Sequence, residues 1–122
     1  MYDMKFAAYI AVLTAGIASA ADAGSVCIFT TECFEDEACA ETSFTMEFRA
    51  GTGGPNDIEL VTDAETIGVA VGGDGQVAHL AGMTESGFHV LTLTRATGAA
   101  RYTNHIDEGP ATVSYLGTCE VQ

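Results

Sequence analysis

After residue 20 the sequence contains no lysine and only three arginines, Arg49, Arg95 and Arg101. The whole chain has 17 acidic residues, and setting aside Asp3 leaves sixteen against those three arginines, a net charge of −13. Such a surface repels phosphate backbones and anionic lipid headgroups, which excludes nucleic acid and membrane surfaces as natural partners. It favours cations or a basic protein, and it also keeps the chain soluble.

Catalytic and cofactor signatures are missing too. There is no Gly-x-Ser-x-Gly turn to raise a nucleophilic serine. Gly72-Gly73-Asp74-Gly75 is glycine-rich, but no lysine follows it, so it does not form a phosphate loop. No two cysteines stand two to four residues apart, which excludes the usual zinc pairs and the Cys-x-x-Cys redox centre. The sequence therefore predicts a protein that is not an enzyme and has no cofactor.

Long apolar runs are also lacking. The longest, Phe6 to Ile17, has twelve residues, short of the roughly 20 that a spanning helix needs. It follows Lys5, the single lysine, and precedes the small residues Ala18-Ser19-Ala20. That order is a secretory signal peptide. We expect residues 1–20 to be removed, leaving one domain, 21–122, in the periplasm or outside the cell, with no stable membrane insertion thereafter.

Four cysteines remain in that domain: Cys27, Cys33, Cys39 and Cys119. An even number in a small exported domain implies two disulfides, with three possible connectivities. The expected pairing is Cys33 with Cys39, closing a short acidic loop, and Cys27 with Cys119, tying the first strand to the last. In the chain-entropy picture these bridges contribute about 2.4 and about 4.6 kcal/mol respectively.

The hydrophobic period is two. Phe44, Met46 and Phe48 alternate with polar residues, as do Leu91 with Leu93 and Val113 with Tyr115. Ile67, Val69 and Val71 alternate with glycine and alanine. Each set reads as a strand with one buried face. Gly51 to Asp57, Gly72 to Gly75, Thr97-Gly98 and Glu108-Gly109-Pro110 are turn signals. The pattern predicts an all-β domain, an antiparallel sandwich or small barrel of about eight strands. They fall near 25–30, 42–49, 57–62, 66–72, 76–81, 87–95, 100–106 and 111–118. The segment Glu32 to Glu41 is the least strand-like and reads as a loop or one helical turn. The expected core includes Phe44, Met46, Phe48, Ile67, Val69, Leu91, Leu93 and Val113.

Three groups of residues are candidates for chemistry. Glu32, Glu35, Asp36, Glu37 and Glu41 offer hard oxygens to a divalent cation such as calcium, or else form a solvated acidic loop. His79, His89 and His105, the only histidines, fall on three different predicted strands and form a site only if those strands bring them together. Arg95, Arg101, Tyr102 and Tyr115 lie on neighbouring C-terminal strands, where they form a binding face or ordinary cross-strand pairs.

Two resemblances bear on role. The stretch Gly98 to Thr103, continued by Tyr115 to Cys119, resembles small uncharacterised secreted proteins of Gram-negative bacteria. Thr97-Gly98 ahead of Tyr102 resembles the Ser-Gly-x-x-Tyr loop of the periplasmic inhibitors of C-type lysozyme. Those are small β-barrels with a first-strand to last-strand disulfide. The function expected from the sequence is thus a non-enzymatic binding or interaction module of the cell envelope. The alternatives are an inhibitor of a basic extracytoplasmic enzyme such as lysozyme, and divalent-cation binding through segment 32–41. The partner expected is a basic envelope or secreted protein.

Overall fold

A computed structural model describes residues 25–51, 53 and 57–120. The predicted signal peptide lies outside the described residues, as do positions 52 and 54–56 of the predicted Gly51–Asp57 turn. The described chain forms eight strands: β1 (Ser25–Phe34), β2 (Ala40–Ala50), β3 (Ile58–Val61), β4 (Thr66–Gly73), β5 (Val77–Thr84), β6 (Gly87–Thr94), β7 (Ala99–Ile106) and β8 (Ala111–Glu120). Each pairs antiparallel with the next, and β1 pairs with β8, so the sheet closes into a barrel. Of the two architectures the sequence allows, the barrel forms because the first and last strands are long and pair over most of their length.

The period-two pattern sorts side chains between the two faces. Phe29, Met46, Leu60, Ile67 and Leu91 are fully buried inside, with Leu80, Leu93 and Val113 nearly so. Phe44, Phe48 and Val69 pack against them. All eight residues expected in the core are thus buried or packed against it. An eight-stranded barrel is just wide enough for side chains to fill, and here they do. Cys27 and Cys119 sit directly opposite each other on the β1–β8 seam and are bonded, so the closure of the barrel is covalent.

The segment Glu32 to Glu41 departs from its expected form. It is strand up to Phe34 and again from Ala40, leaving only residues 35–39 as a turn, and it has no helical turn. The Cys33–Cys39 bond ties the end of β1 to the last residue of that turn, just before β2. Within β1 the register slips between Phe29 and Thr31. Against β8, one extra residue of β1 is accommodated there, a bulge that exchanges the inward and outward rows. Phe29 faces inward before the slip, and Glu32, opposite Tyr115, faces inward after it. Gly117 stands opposite Phe29 at this point, and a side chain on it would run into the Ile28 carbonyl and the Phe29 backbone.

The up-and-down order gathers turns at two rims. Residues 51, 53 and 57 and turns 74–76 and 95–98 lie at one, called the upper rim, beside the start of β1. Turns 35–39, 62–65, 85–86 and 107–110 lie at the lower rim.

Candidate functional site

The lower rim is where the charge collects. Its four turns carry Glu35, Asp36, Glu37, Asp63, Glu65, Glu85, Asp107 and Glu108, eight acidic residues with no lysine or arginine. The upper turns carry only Asp57, Asp74 and Arg95. Acids far apart in the chain meet because every second turn of a meander falls at the same end. Beside this rim the outer wall is apolar. Met83, 72% exposed, stands opposite the exposed Phe88, whose ring lies 6.3 Å from that of His105. Phe34, also exposed, ends β1 at the same rim, but on the inward row of Glu32 and opposite Val113 rather than on the outer wall.

Below the apolar layer, the barrel's interior turns polar towards the lower rim. His89 continues the inward row of Leu91 and Leu93 and is 0% exposed. Its Nδ1 is 2.7 Å from the Tyr102 hydroxyl. Its Nε2 is 2.8 Å from Thr84 Oγ1 and 3.2 Å from Ser86 Oγ. Thr84 and Ser86 hydroxyls are 2.9 Å apart, and Ser86 donates to Glu65 Oε2 at 2.9 Å.

Donor counting gives this network a direction. Glu65 accepts the only proton of Ser86, so Ser86 Oγ can only accept from the others. Thr84 therefore donates to Ser86, Nε2–H donates to Thr84, and Nδ1 accepts from Tyr102. The result is one chain, Tyr102 to His89 to Thr84 to Ser86 to Glu65, ending on a carboxylate. Burial holds the His89 pKa below its ordinary value, partly opposed by the Glu65 charge 3.7 Å away. Burial likewise raises Tyr102 far above the ordinary phenol range.

A second chain runs alongside. The Tyr115 hydroxyl donates to Glu32 Oε2 at 2.8 Å, and burial together with that carboxylate pushes the phenol up to about 12. Tyr102, Tyr115, Phe29 and Phe44 form one ring cluster, with Phe44 and Tyr115 centroids 4.8 Å apart. On the inward row Asn104 stands opposite His89, and its buried Oδ1 has no hydrogen-bond partner among the described residues.

The candidates from the sequence are separated by this geometry. The three histidines do not converge: His89 is inside, whereas His79 faces out against Thr92 at 3.1 Å and His105 faces out against Phe88. Their strands have the parity to send only one inward. Tyr102 and Tyr115 are direct cross-strand partners inside the barrel, while Arg101, opposite Leu116, is exposed, so the four residues do not share a face. The five acids of segment 32–41 also divide: Glu32 turns in to Tyr115, and Glu35 accepts from the Thr112 amide at 3.3 Å. Among the described residues no group of three or more His, Cys, Asp or Glu side chains is placed to hold a metal ion. Thr97-Gly98 lies in the β6–β7 turn at the upper rim, but Tyr102 is buried in the barrel and presents no loop surface.

The polar chain was not among the sequence candidates. Its signal was nonetheless present, because the Leu91–Leu93 alternation extended back two residues puts His89 inside. No protein-family model matches the chain, and neither the curated proteins nor the solved structures contain a match to it. What the fold and the rim define is a class: a disulfide-closed, eight-stranded meander barrel with a filled core and one strongly acidic end.

Proposed function

We propose that the protein is an exported, non-enzymatic interaction module that docks a basic protein of the envelope or secreted medium on its lower rim. The observation that carries this reading is the placement of eight acids and no base in the four lower turns, next to exposed Met83 and Phe88. An apolar or aromatic anchor within a polar rim is the usual anatomy of a protein interface. Opposite charge then steers the encounter and raises its rate by about 10–10³-fold. The two disulfides suit an oxidising compartment outside the cytosol, and periplasm or secretion is the location proposed.

The wiring of Ser86 supports binding over catalysis. A serine nucleophile hands its proton to a histidine whose other nitrogen is oriented by a carboxylate. Here Ser86 hands its proton to the carboxylate itself, and a tyrosine holds the far side of His89. The acidic rim also keeps open the second reading, an inhibitor of a basic extracytoplasmic enzyme, for which a C-type lysozyme is the direct probe.

Capture of envelope and secreted proteins on the immobilised protein, at low and at moderate salt, tests the reading. The expected captives are basic, and they are released as the screening length falls from about 30 Å to about 10 Å. Captives that are neutral or acidic and indifferent to salt overturn it. Lysozyme that keeps full activity in excess protein removes the inhibitor reading alone.

A further inference from the structure

The upper end of the barrel differs from the lower. There the inward rows end in an open apolar notch of about 140 Å³, walled by Phe48, Ile58, Val71, Leu80 and Leu93. Val71 is half exposed although its row points into the barrel, so this apolar surface meets solvent rather than packed protein. Among the described residues of the wall the one charged group is Arg95, next in the inward row after Leu91 and Leu93. Its backbone is fixed at the rim by an N–H donated to the Gln76 carbonyl at 2.8 Å. Arg49 lies within 4 Å of both Glu47 and Glu59, whereas Arg95 has no ion pair among the described residues.

We propose that this mouth is a binding site for a small carboxylate with a ring-sized apolar body, the carboxylate pairing with the Arg95 guanidinium and the ring seated on Phe48 and Leu93. Size sets the class. An apolar hole of about 150 Å³ takes up benzene, whereas drug-sized ligands need roughly 300 Å³ or more. A long acyl chain has no room, because Leu80, Leu91 and Met46 fill the barrel beneath. Charge sets the head group: a planar guanidinium matches a carboxylate with two parallel hydrogen bonds. The site lies at the opposite end from the acidic rim and does not depend on the interaction reading above.

Sodium benzoate is the probe, with benzamide as its neutral counterpart, followed by amide and methyl NMR shifts of the intact, disulfide-bonded protein. Benzoate is expected to give saturable shifts confined to the upper mouth and to bind more tightly than benzamide. Arg95→Gln should weaken benzoate about tenfold, the scale of one charge-assisted hydrogen bond at a wet rim, while leaving benzamide unchanged. Val71→Phe, at a half-exposed position, should fill the notch and abolish both. Shifts that do not saturate, that lie elsewhere, or that are equal for the two ligands and unmoved by either substitution overturn the proposal.

Discussion

Tyr102 and Tyr115 stand directly opposite each other on β7 and β8, ring centroids 5.6 Å apart, yet their hydroxyls serve different acceptors: His89 for the first, Glu32 for the second. The difference in burial makes the two bonds unequal. Removing the Tyr102 hydroxyl leaves His89 Nδ1 buried with no donor, a loss of about 1–3 kcal/mol. Glu32 is only partly buried, and water can replace Tyr115 at its carboxylate. Tyr102→Phe is therefore expected to lower the urea midpoint by clearly more than Tyr115→Phe. Equal losses would mean that the His89 chain holds no special share of the stability.

The same two phenols limit stability on the alkaline side. Both have folded pKa values raised above the ordinary 10.0, so the fold disfavours the phenolate. Their contribution is complete below pH 10 and declines as pH rises from there through about 12. They are the only tyrosines after residue 20. A chain beginning at residue 21 should therefore show no tyrosinate absorbance step near pH 10 while folded, and a full step once unfolded in guanidinium.

Just below neutrality the responsible group is His89. Its folded pKa is depressed below the ordinary 6.5, so the unfolded chain takes up the proton first as pH falls. The stability tied to neutral His89 is present above about pH 6.5 and is lost progressively as pH drops towards the folded value. Thermal midpoints of the wild type should be flat between neutrality and about pH 10, where the phenols begin to act, and slope down below neutrality. His89→Gln, which keeps hydrogen-bonding groups but does not titrate, should be less stable at pH 7.5 and lose that slope between about 6.5 and 5. A wild type and variant with parallel pH curves would show that another group controls the transition.

The two disulfides should differ in worth. Cys27–Cys119 spans 92 residues and closes the barrel seam, whereas Cys33–Cys39 spans 6 and ties one turn. Replacing Cys27 and Cys119 by alanine is expected to cost about 4–5 kcal/mol, and replacing Cys33 and Cys39 about 2, by loop entropy. Guanidinium melts of the two double variants check the order, and a reversal would mean that the lower-rim turn, not the seam, limits unfolding.

Much of this architecture was legible in the sequence because a half-buried strand advertises itself by alternation. Phe44–Met46–Phe48 and Leu91–Leu93 named their strands and their inward faces, and the turn residues spaced all eight. Barrel and sandwich were not separable, since alternation records which side a residue faces and not which strands close. Glu32 was misplaced in a loop because the bulge at Phe29–Thr31 reverses the parity of β1, and no residue type announces it. His89 was readable by parity but was weighed as one of three histidines, when register places the other two outside. The acidic rim was hidden for a different reason. Its members lie in four turns from residue 35 to residue 108, and only the strand order brings them to one end.

Position rather than total charge should govern association with a basic partner. Asp36→Asn with Glu37→Gln removes two charges from the lower rim, and Glu47→Gln with Glu120→Gln removes two from the upper half, where both residues flank Val26. Either pair changes the net charge from −13 to −11 by the loss of two carboxylates. If the whole-molecule field alone drew the partner in, the two variants would associate at the same rate. Exposed charges more than about 10 Å away are largely screened at 0.1 M salt, so at that ionic strength only charges near the docking face still act. We expect the lower-rim pair to slow association with a basic probe such as lysozyme several-fold and the upper pair to leave it nearly unchanged. At about 0.01 M salt, where the screening length reaches about 30 Å, the two rates should move together. A lower-rim variant that associates as fast as the wild type at 0.1 M would place the docking face elsewhere on the barrel.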